Sequence, residues 1–326
     1  MVSALVRHIG MREGDVGSPV ASPLARVVYI VGAGRSGSTI LNAVLGMHPD
    51  IVATGELRYF ASPQEGAPRK CACGALASDC PFWHRVLDLW TERAGPQAVA
   101  EWFERRPVYE RMRGLPILAL DVAFRQSRWR SYATATRGLV ESVREAAGAR
   151  VVADSSKSPV RAFILMNTGG IEVMFLHLVR DPRGVVWSRL KALGRHRGAQ
   201  RPDTKVVWLV VHSTLDWILV NLVSGVVLFA AKGGRRIRYE DMVVHSRETL
   251  TAIEDLVGVD LSAAERAVLE GKAIDYQHIV GGNPRRLAGA APVVFDQEWL
   301  TASPGWLQRL VWAVAGPLAR RYGYRT

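Results

Sequence analysis

A chain of 326 residues that is 48% apolar and 22% charged can bury a large core, which excludes a disordered or fibrous protein. Its 42 Lys and Arg against 30 Asp and Glu give a formal charge of +12, so the expected partner is anionic: a nucleotide, a nucleic acid, a membrane surface or an acidic acceptor. The basic residues are spread along the chain, with neither a long Lys/Arg block nor the aromatic interleaving of a single-strand binder; this disfavours nucleic acid and favours a small anionic ligand.

Residues 1–24 are rich in Gly, Ser, Pro and charge and lack the basic start, apolar run and cleavage site of a signal peptide, so a loose tail is expected. Residues 26–31 form a β-branched and aromatic run that enters Gly32-Ala33-Gly34-Arg35-Ser36-Gly37-Ser38-Thr39 and then the helical pattern Ile40, Leu41, Val44, Leu45. That order is strand, glycine-rich turn, helix. Glu56 follows this helix and a short strand. The three cysteines, Cys71, Cys73 and Cys80, are followed by His84, a C-x-C-x6-C-x3-H spacing that leaves open a tetrahedral zinc site, a local disulfide or free thiols. Each of these readings is structural rather than catalytic. Residues 62–145 break the strand–helix alternation and read as a helical insertion suited to acceptor recognition. Strand-like runs return at 150–153, 172–179 and 235–239, each leading to a helix-compatible stretch. This alternation predicts an α/β fold, a parallel sheet flanked by helices, with ligand sites at the strands' carboxyl ends and residues 25–326 forming a single domain. Residues 206–231 are long and apolar enough to span a bilayer, but they carry His212, Asp216 and Asn221, which a protein core can pair and lipid cannot. A buried helix in a cytoplasmic protein without a transmembrane segment is expected.

The turn at residues 32–39 has the outline of a Walker A loop, whose glycines let backbone N–H groups approach an anion at a helix N-terminus. The lysine that an NTPase places after the second glycine is here Ser38, and the only cation in the loop is Arg35. Nothing in the loop reaches a γ-phosphate. A donor carrying a sulfate on its 5′-phosphate needs the same cradle without a γ-phosphate or Mg²⁺. Further on, Arg180 stands at a strand end, Asp181 suits a helix cap and Pro182 its first turn, and Ser188 lies about two turns into that helix. Arg180 and Ser188 converge on one phosphate if the helix packs back across the strand end.

Together these two segments resemble the 5′-phosphosulfate loop and the 3′-phosphate motif of sulfotransferases that use PAPS (3′-phosphoadenosine 5′-phosphosulfate). Asp154-Ser155-Ser156-Lys157, Arg238-Tyr239-Glu240-Asp241 and Gly282-Asn283-Pro284-Arg285 resemble segments of bacterial members in the same order, and residues 71–83 and 321–324 are similar too. The resemblance runs from residue 26 to the C-terminus. It implies a P-loop-like α/β fold and PAPS as sulfuryl donor, released as adenosine 3′,5′-bisphosphate (PAP), with no metal required for the chemistry. It further implies direct in-line transfer to a hydroxyl or amine of a small-molecule, glycan or glycolipid acceptor. Gly34, Arg35, Ser36, Gly37, Ser38 and Thr39 would surround the 5′-phosphate, Arg180 and Ser188 the 3′-phosphate, with Tyr239 near the adenine and Arg285 near the 3′-phosphate. Glu56 resembles the base glutamate of tyrosylprotein sulfotransferases, and Lys157 the lysine thought to stabilise the leaving oxygen there. Histidines offer an alternative base, with His48, His177 and His278 the candidates. Asp154 as a Walker B mimic keeps a P-loop kinase or NTPase open, and a nucleotide-binding protein without chemistry is the non-enzymatic reading; a homo-oligomer is compatible with any of these.

Overall fold

The computed structural model describes residues 24–60, 70–200, 203–231 and 234–326. All but the last residue of the tail expected over 1–24, and residues 62–69 of the insertion, lie outside the described residues.

The first strand, β1 (Ala25–Val31), leads through the glycine-rich turn into α1 (Ser38–Leu45), which returns to β2 (Ile51–Gly55). Four helices follow before the sheet resumes: α2 (Pro81–Ala94), α3 (Pro96–Tyr109), α4 (Leu115–Ala123) and α5 (Ser127–Ala147). The chain then alternates through β3 (Val151–Lys157), α6 (Pro159–Asn167), β4 (Ile171–Val179), α7 (Pro182–Ala192), the long α8 (Thr204–Ala230) and β5 (Gly234–Arg238). A helical C-terminal part closes the molecule, with α9 (Asp241–Val244), α10 (Ser246–Val257), α11 (Ser262–Leu269), α12 (Trp299–Ala302) and α13 (Gly305–Arg321), interrupted by the two-residue strands β6 (Ala273–Ile274) and β7 (Ala291–Pro292).

The five main strands are all parallel, in the order β2-β3-β1-β4-β5. The α/β fold expected from the sequence is the one observed. The central β1 is covered on both faces, which is why its sequence is nearly continuous apolar rather than alternating. Val27, Tyr29 and Val31 pack on the insertion side with Trp83, Trp90, Trp102 and Tyr132, while Val28 and Ile30 pack on the other side with Leu41, Val44 and Ile253. The chain leaves β1 for β2 and β3 on one flank and reaches β4 and β5 on the other, so the order reverses at β1, and in such sheets ligands bind beyond the strands' carboxyl ends at that point.

Seven of the ten Trp residues are buried, and those of α2 and α3 use their indole N–H inside the protein: Trp83 donates to the carbonyl of His278 (2.8 Å), Trp90 to that of Ala135 (2.7 Å) and Trp102 to the Thr136 hydroxyl (2.9 Å). These indoles belong to the core, where burial of the ring and a satisfied N–H account for them.

α8 is buried along one face only. Its inner side carries Trp217 and Asn221, and Asp216 pairs with Arg189 at 2.7 Å. Trp208, Leu215, Leu219, Leu222, Val226 and Phe229 are exposed, and only a third of its most apolar window is buried, where the sequence led us to expect a core helix. Of the three polar residues, Asn221 is buried and paired with His177 and Asp216 pairs with Arg189, whereas His212 is exposed and stacks on Trp208 outside the core.

A chain of buried charges joins the insertion to the sheet. The Arg161 guanidinium, fully buried, donates through Nε to Asp154 at 2.8 Å and through Nη1 to Glu110 at 2.5 Å, and Tyr132 donates to the same Glu110 oxygen at 2.9 Å. Removing the cation from two buried carboxylates costs about 3–5 kcal/mol. Arg161→Met should therefore lower the unfolding free energy extrapolated from urea titration by about 3–5 kcal/mol.

His177 in β4 is also fully buried, with Nε2 3.0 Å from the Asn221 carbonyl oxygen, and burial, with a smaller contribution from the nearby Arg236, pushes its imidazole down to about 4. Protonation then favours the unfolded chain, in which His titrates near about 6.5. The stability is present above that pH and is lost as pH falls toward the folded value, by about 2 kcal/mol between pH 7 and pH 5. Urea titrations at the two pH values should show this loss, and a His177→Gln chain, which has no imidazole there, should show correspondingly less.

Candidate active site

The turn between β1 and α1 is shaped by neighbours that leave no room for side chains. A Cβ on Gly32, at φ 141°, would lie 2.3 Å from the carbonyl oxygen of Leu178, and one on Gly37, at φ 90°, 2.3 Å from the Tyr239 ring. Gly37 is also the N-cap of α1 and supplies no side-chain cap, so the first N–H groups of that helix are left to donate elsewhere. Ser36 is 1% exposed with its hydroxyl unpartnered among the described residues. Such an orphaned buried donor beside a bare helix N-terminus fits an anion.

Around this cradle the structure brings together cations from three strand ends. Arg35 sits in the turn at φ 73°, a left-handed conformation that is uncommon for a non-glycine residue. Burial and the neighbouring Arg189 lower the pKa of its guanidinium, while Glu56 acts in the opposite sense. Arg189, which the sequence reading passed over, lies on α7 next to Ser188; its Nη2 stands 4.0 Å from the place a Cβ of Gly34 would take. Ser188 itself is half-buried on that helix. Asp181 caps α7 by accepting from the Arg183 N–H at 2.8 Å, as its place before Pro182 suggested.

Arg180, at the end of β4, is 3% exposed. It donates to the carbonyls of Arg35 (3.1 Å) and Asp296, lies 3.6 Å from the Asp296 carboxylate and 4.5 Å above the Tyr239 ring, and keeps an unpartnered Nε. Lys191 holds the same Asp296 carboxylate at 3.3 Å. Tyr239 is buried between Arg180 and Gly37, its hydroxyl accepting from the Asp296 N–H at 2.8 Å, so its contacts support the loop. Arg285 is exposed on a short turn whose start is capped by Asn283. That turn reaches the cradle through Asn283, whose N–H donates to the Thr39 hydroxyl at 3.0 Å.

At the end of β3, Lys157 adopts φ 65° and places Nζ 2.5 Å from Glu56 and 3.2 Å from the carbonyl of Ser155. Glu56 is thus not a solvent-facing helix cap: its carboxylate is 13% exposed, and its N–H donates to Val280 at 2.8 Å. Asp154 is buried and accepts from Nε of Arg161 and from the Ser156 N–H and hydroxyl, so both carboxylate oxygens are engaged within the protein, unlike a Walker B aspartate facing its metal. Of the histidines, His177 is enclosed with Asn221, and His48 accepts the Asp50 N–H in a turn at 3.1 Å. His278 lies against the cysteines, with Nδ1 3.3 Å from the Cys80 sulfur.

A parallel sheet with a glycine-rich turn and a bare helix N-terminus at its switch point, ringed by cations and lacking the NTPase lysine, places the chain among α/β proteins with a phosphate-loop-like turn. Residues 27–263, well over half of the chain, match the sulfotransferase family. The chain belongs to that family. No curated protein matches the sequence. Among solved structures it is similar to the sulfotransferase domain from the curacin biosynthetic pathway (16% identity, TM-score 0.48, covering 91% of this chain and 99% of that one). It is similar also to the sulfotransferase domain of the Synechococcus PCC 7002 olefin synthase (18%, 0.46, 96% and 100%) and to sulfotransferase STF1 from Mycobacterium tuberculosis (17%, 0.40, 74% and 70%).

The steric basis of the cradle can be checked directly. Gly37→Ala should lower Tm, because it combines strained φ with a clash against a buried ring, while Gly34→Ala, which meets only the flexible end of Arg189, should leave Tm close to that of the parent in thermal denaturation.

Proposed function

We propose that this protein transfers a sulfuryl group from PAPS to a hydroxyl or amine of a small-molecule, glycan or glycolipid acceptor in the cytoplasm, with Glu56 as general base. The observation that carries the reading is the pairing, across the end of the sheet, of Glu56 with Lys157 beside a cradle that has no NTPase lysine.

The donor, when bound, supplies a sulfuryl group whose bond to the 5′-phosphate breaks as the acceptor attacks in line. The α1 N-terminus with Gly34, Ser36, Gly37, Ser38 and Thr39 would hold the 5′-phosphate, and the orphaned Ser36 hydroxyl supports that fit. Arg180 and Ser188, with Arg285 less directly, would hold the 3′-phosphate; Arg180 and Lys191 already grip one anion, the Asp296 carboxylate, and Nε of Arg180 still lacks a partner. Tyr239 stiffens the loop under these groups. Lys157 has three N–H donors; Glu56 and the Ser155 carbonyl take two, leaving one for the leaving phosphate oxygen. Arg35 would face the charge that develops on the same oxygen. Glu56 would take the acceptor proton, and its 2.5 Å contact with Lys157 holds the carboxylate oriented for that step.

Calorimetric titration with PAP, alongside ATP with Mg²⁺, tests the donor, and a PAPS turnover assay over an acceptor panel tests the chemistry. PAP is expected to bind without metal and to lose about tenfold or more in affinity in Arg180→Ala. Glu56→Gln is expected to bind PAP as the parent does and to lose about 10²–10⁴ in kcat. Binding of ATP with Mg²⁺ in place of PAP would overturn the proposal in favour of an NTPase.

A further inference from the structure

The cysteine cluster acquires a fourth member that its spacing did not suggest. His84 points away from it, exposed on α2 and paired with Asp88 at 3.2 Å. His278, which follows β6, takes the place instead: its Nδ1 lies 3.3 Å from the Cys80 sulfur and 3.7 Å from that of Cys71, while the Cys73 and Cys80 sulfurs are 3.7 Å apart. All four ligand atoms lie within 4.8 Å of one another. A tetrahedral zinc with bonds of about 2.3 Å to sulfur and about 2.0 Å to nitrogen has ligand-to-ligand edges of about 3.5–3.8 Å. The three measured contacts fall at or near that range.

The surroundings fix these groups before any ion arrives. The Gly74 N–H donates to the Cys71 carbonyl at 3.0 Å and the Cys71 N–H to that of Ala75 at 2.8 Å, which folds the first two cysteines into a tight turn, with Gly74 at φ 95°. Phe82 stacks on the His278 ring at 4.8 Å, and Trp83 donates to the His278 carbonyl at 2.8 Å, so the residues just after Cys80 orient the distant histidine. Three sulfurs and one imidazole nitrogen form a closed set that suits zinc and leaves no position for substrate.

We propose that Cys71, Cys73, Cys80 and His278 bind one structural Zn²⁺ that staples the start of the insertion to the segment walling the active site. Two residues beyond His278, Val280 donates to the Thr54 carbonyl (3.0 Å) and accepts from the Glu56 N–H (2.8 Å). Gly281 leaves only 2.9 Å between its missing Cβ and that of Glu56, and Gly282 only 2.5 Å to the Thr39 hydroxyl. The metal therefore secures the backbone against which Glu56 and Thr39 are set. The metal assignment stands on the four side chains alone, whereas its effect on turnover rests on the proposed role of Glu56.

Elemental analysis of the full chain, purified reduced and then freed of metal and refilled with Zn²⁺ alone, tests the assignment. One zinc per chain is expected in the parent and in His84→Ala, with loss of stoichiometric zinc in His278→Ala and in Cys73→Ser, whose side chain is the most exposed of the three. In the parent the three thiols should resist a thiol reagent until a chelator is added, and chelation should lower Tm in a way that added zinc restores; these readouts need no variant to fold. Three freely reactive thiols with no zinc taken up, or a Cys73–Cys80 disulfide in non-reducing mass spectrometry, would overturn the proposal. So would full zinc retention in both ligand variants. Zinc content is read without PAPS, so a failure of the sulfuryl-transfer reading leaves this result intact.

Discussion

A guanidinium with no access to water is stable only when carboxylates surround it, and Arg161 meets that requirement by drawing Asp154 from the sheet and Glu110 from the insertion to itself. Asp154 in turn accepts from the N–H and hydroxyl of Ser156, which bends the last residues of β3 out of regular pairing. Lys157 follows at once in a left-handed conformation, and so its ammonium turns toward Glu56 rather than along the strand. Arg58 extends the network: its guanidinium is 3.6 Å from Glu110 and its N–H donates to Ser156 at 3.1 Å. The position of the Glu56–Lys157 pair thus depends on a buried charge balance one layer below it.

The cradle above β1 works by a related economy of space and charge. Gly32 and Gly37 are required because Leu178 and Tyr239 occupy the volume a side chain would need, and that close contact is what holds the turn open toward its backbone N–H groups. Arg35 and Arg189 face each other there, and their mutual repulsion, added to burial, disfavours the charged form of Arg35. An anion between them relieves both effects.

Much of the architecture was legible. The continuous apolar runs of β1 and β4 and the Asp181-Pro182 start of α7 lie where local pattern placed them, and so does the turn between β1 and α1, although Leu178 and Tyr239, distant in sequence, set its shape. The end of β3 was not. Ser155, Ser156 and Lys157 look like loop residues, and they continue the strand because Asp154, Arg58 and Glu56 satisfy the polar groups of Ser156 and Lys157. α8 was read as a core helix from its composition, yet composition does not say how many faces find a partner, and one does not. His84 drew attention as the histidine nearest the cysteines, but a residue in the first turn of a helix that buries Trp83 and Val86 turns outward, and the histidine that joins the sulfurs lies 198 residues from Cys80.

By itself the sequence determined the class of fold, written in local periodicity, and the glycine-rich turn with Ser38 in place of the NTPase lysine, written in spacing, while the order of its segments carried a resemblance to sulfotransferases. Only the tertiary structure decided which charges share a site. It joined Glu56 to Lys157, committed Asp154 to Arg161, brought Arg189 beside the loop and carried His278 to the cysteines. Such pairings depend on burial and, for Glu56 with Lys157 and Cys80 with His278, on contacts between residues a hundred or more positions apart, and these exist only once the sheet has closed.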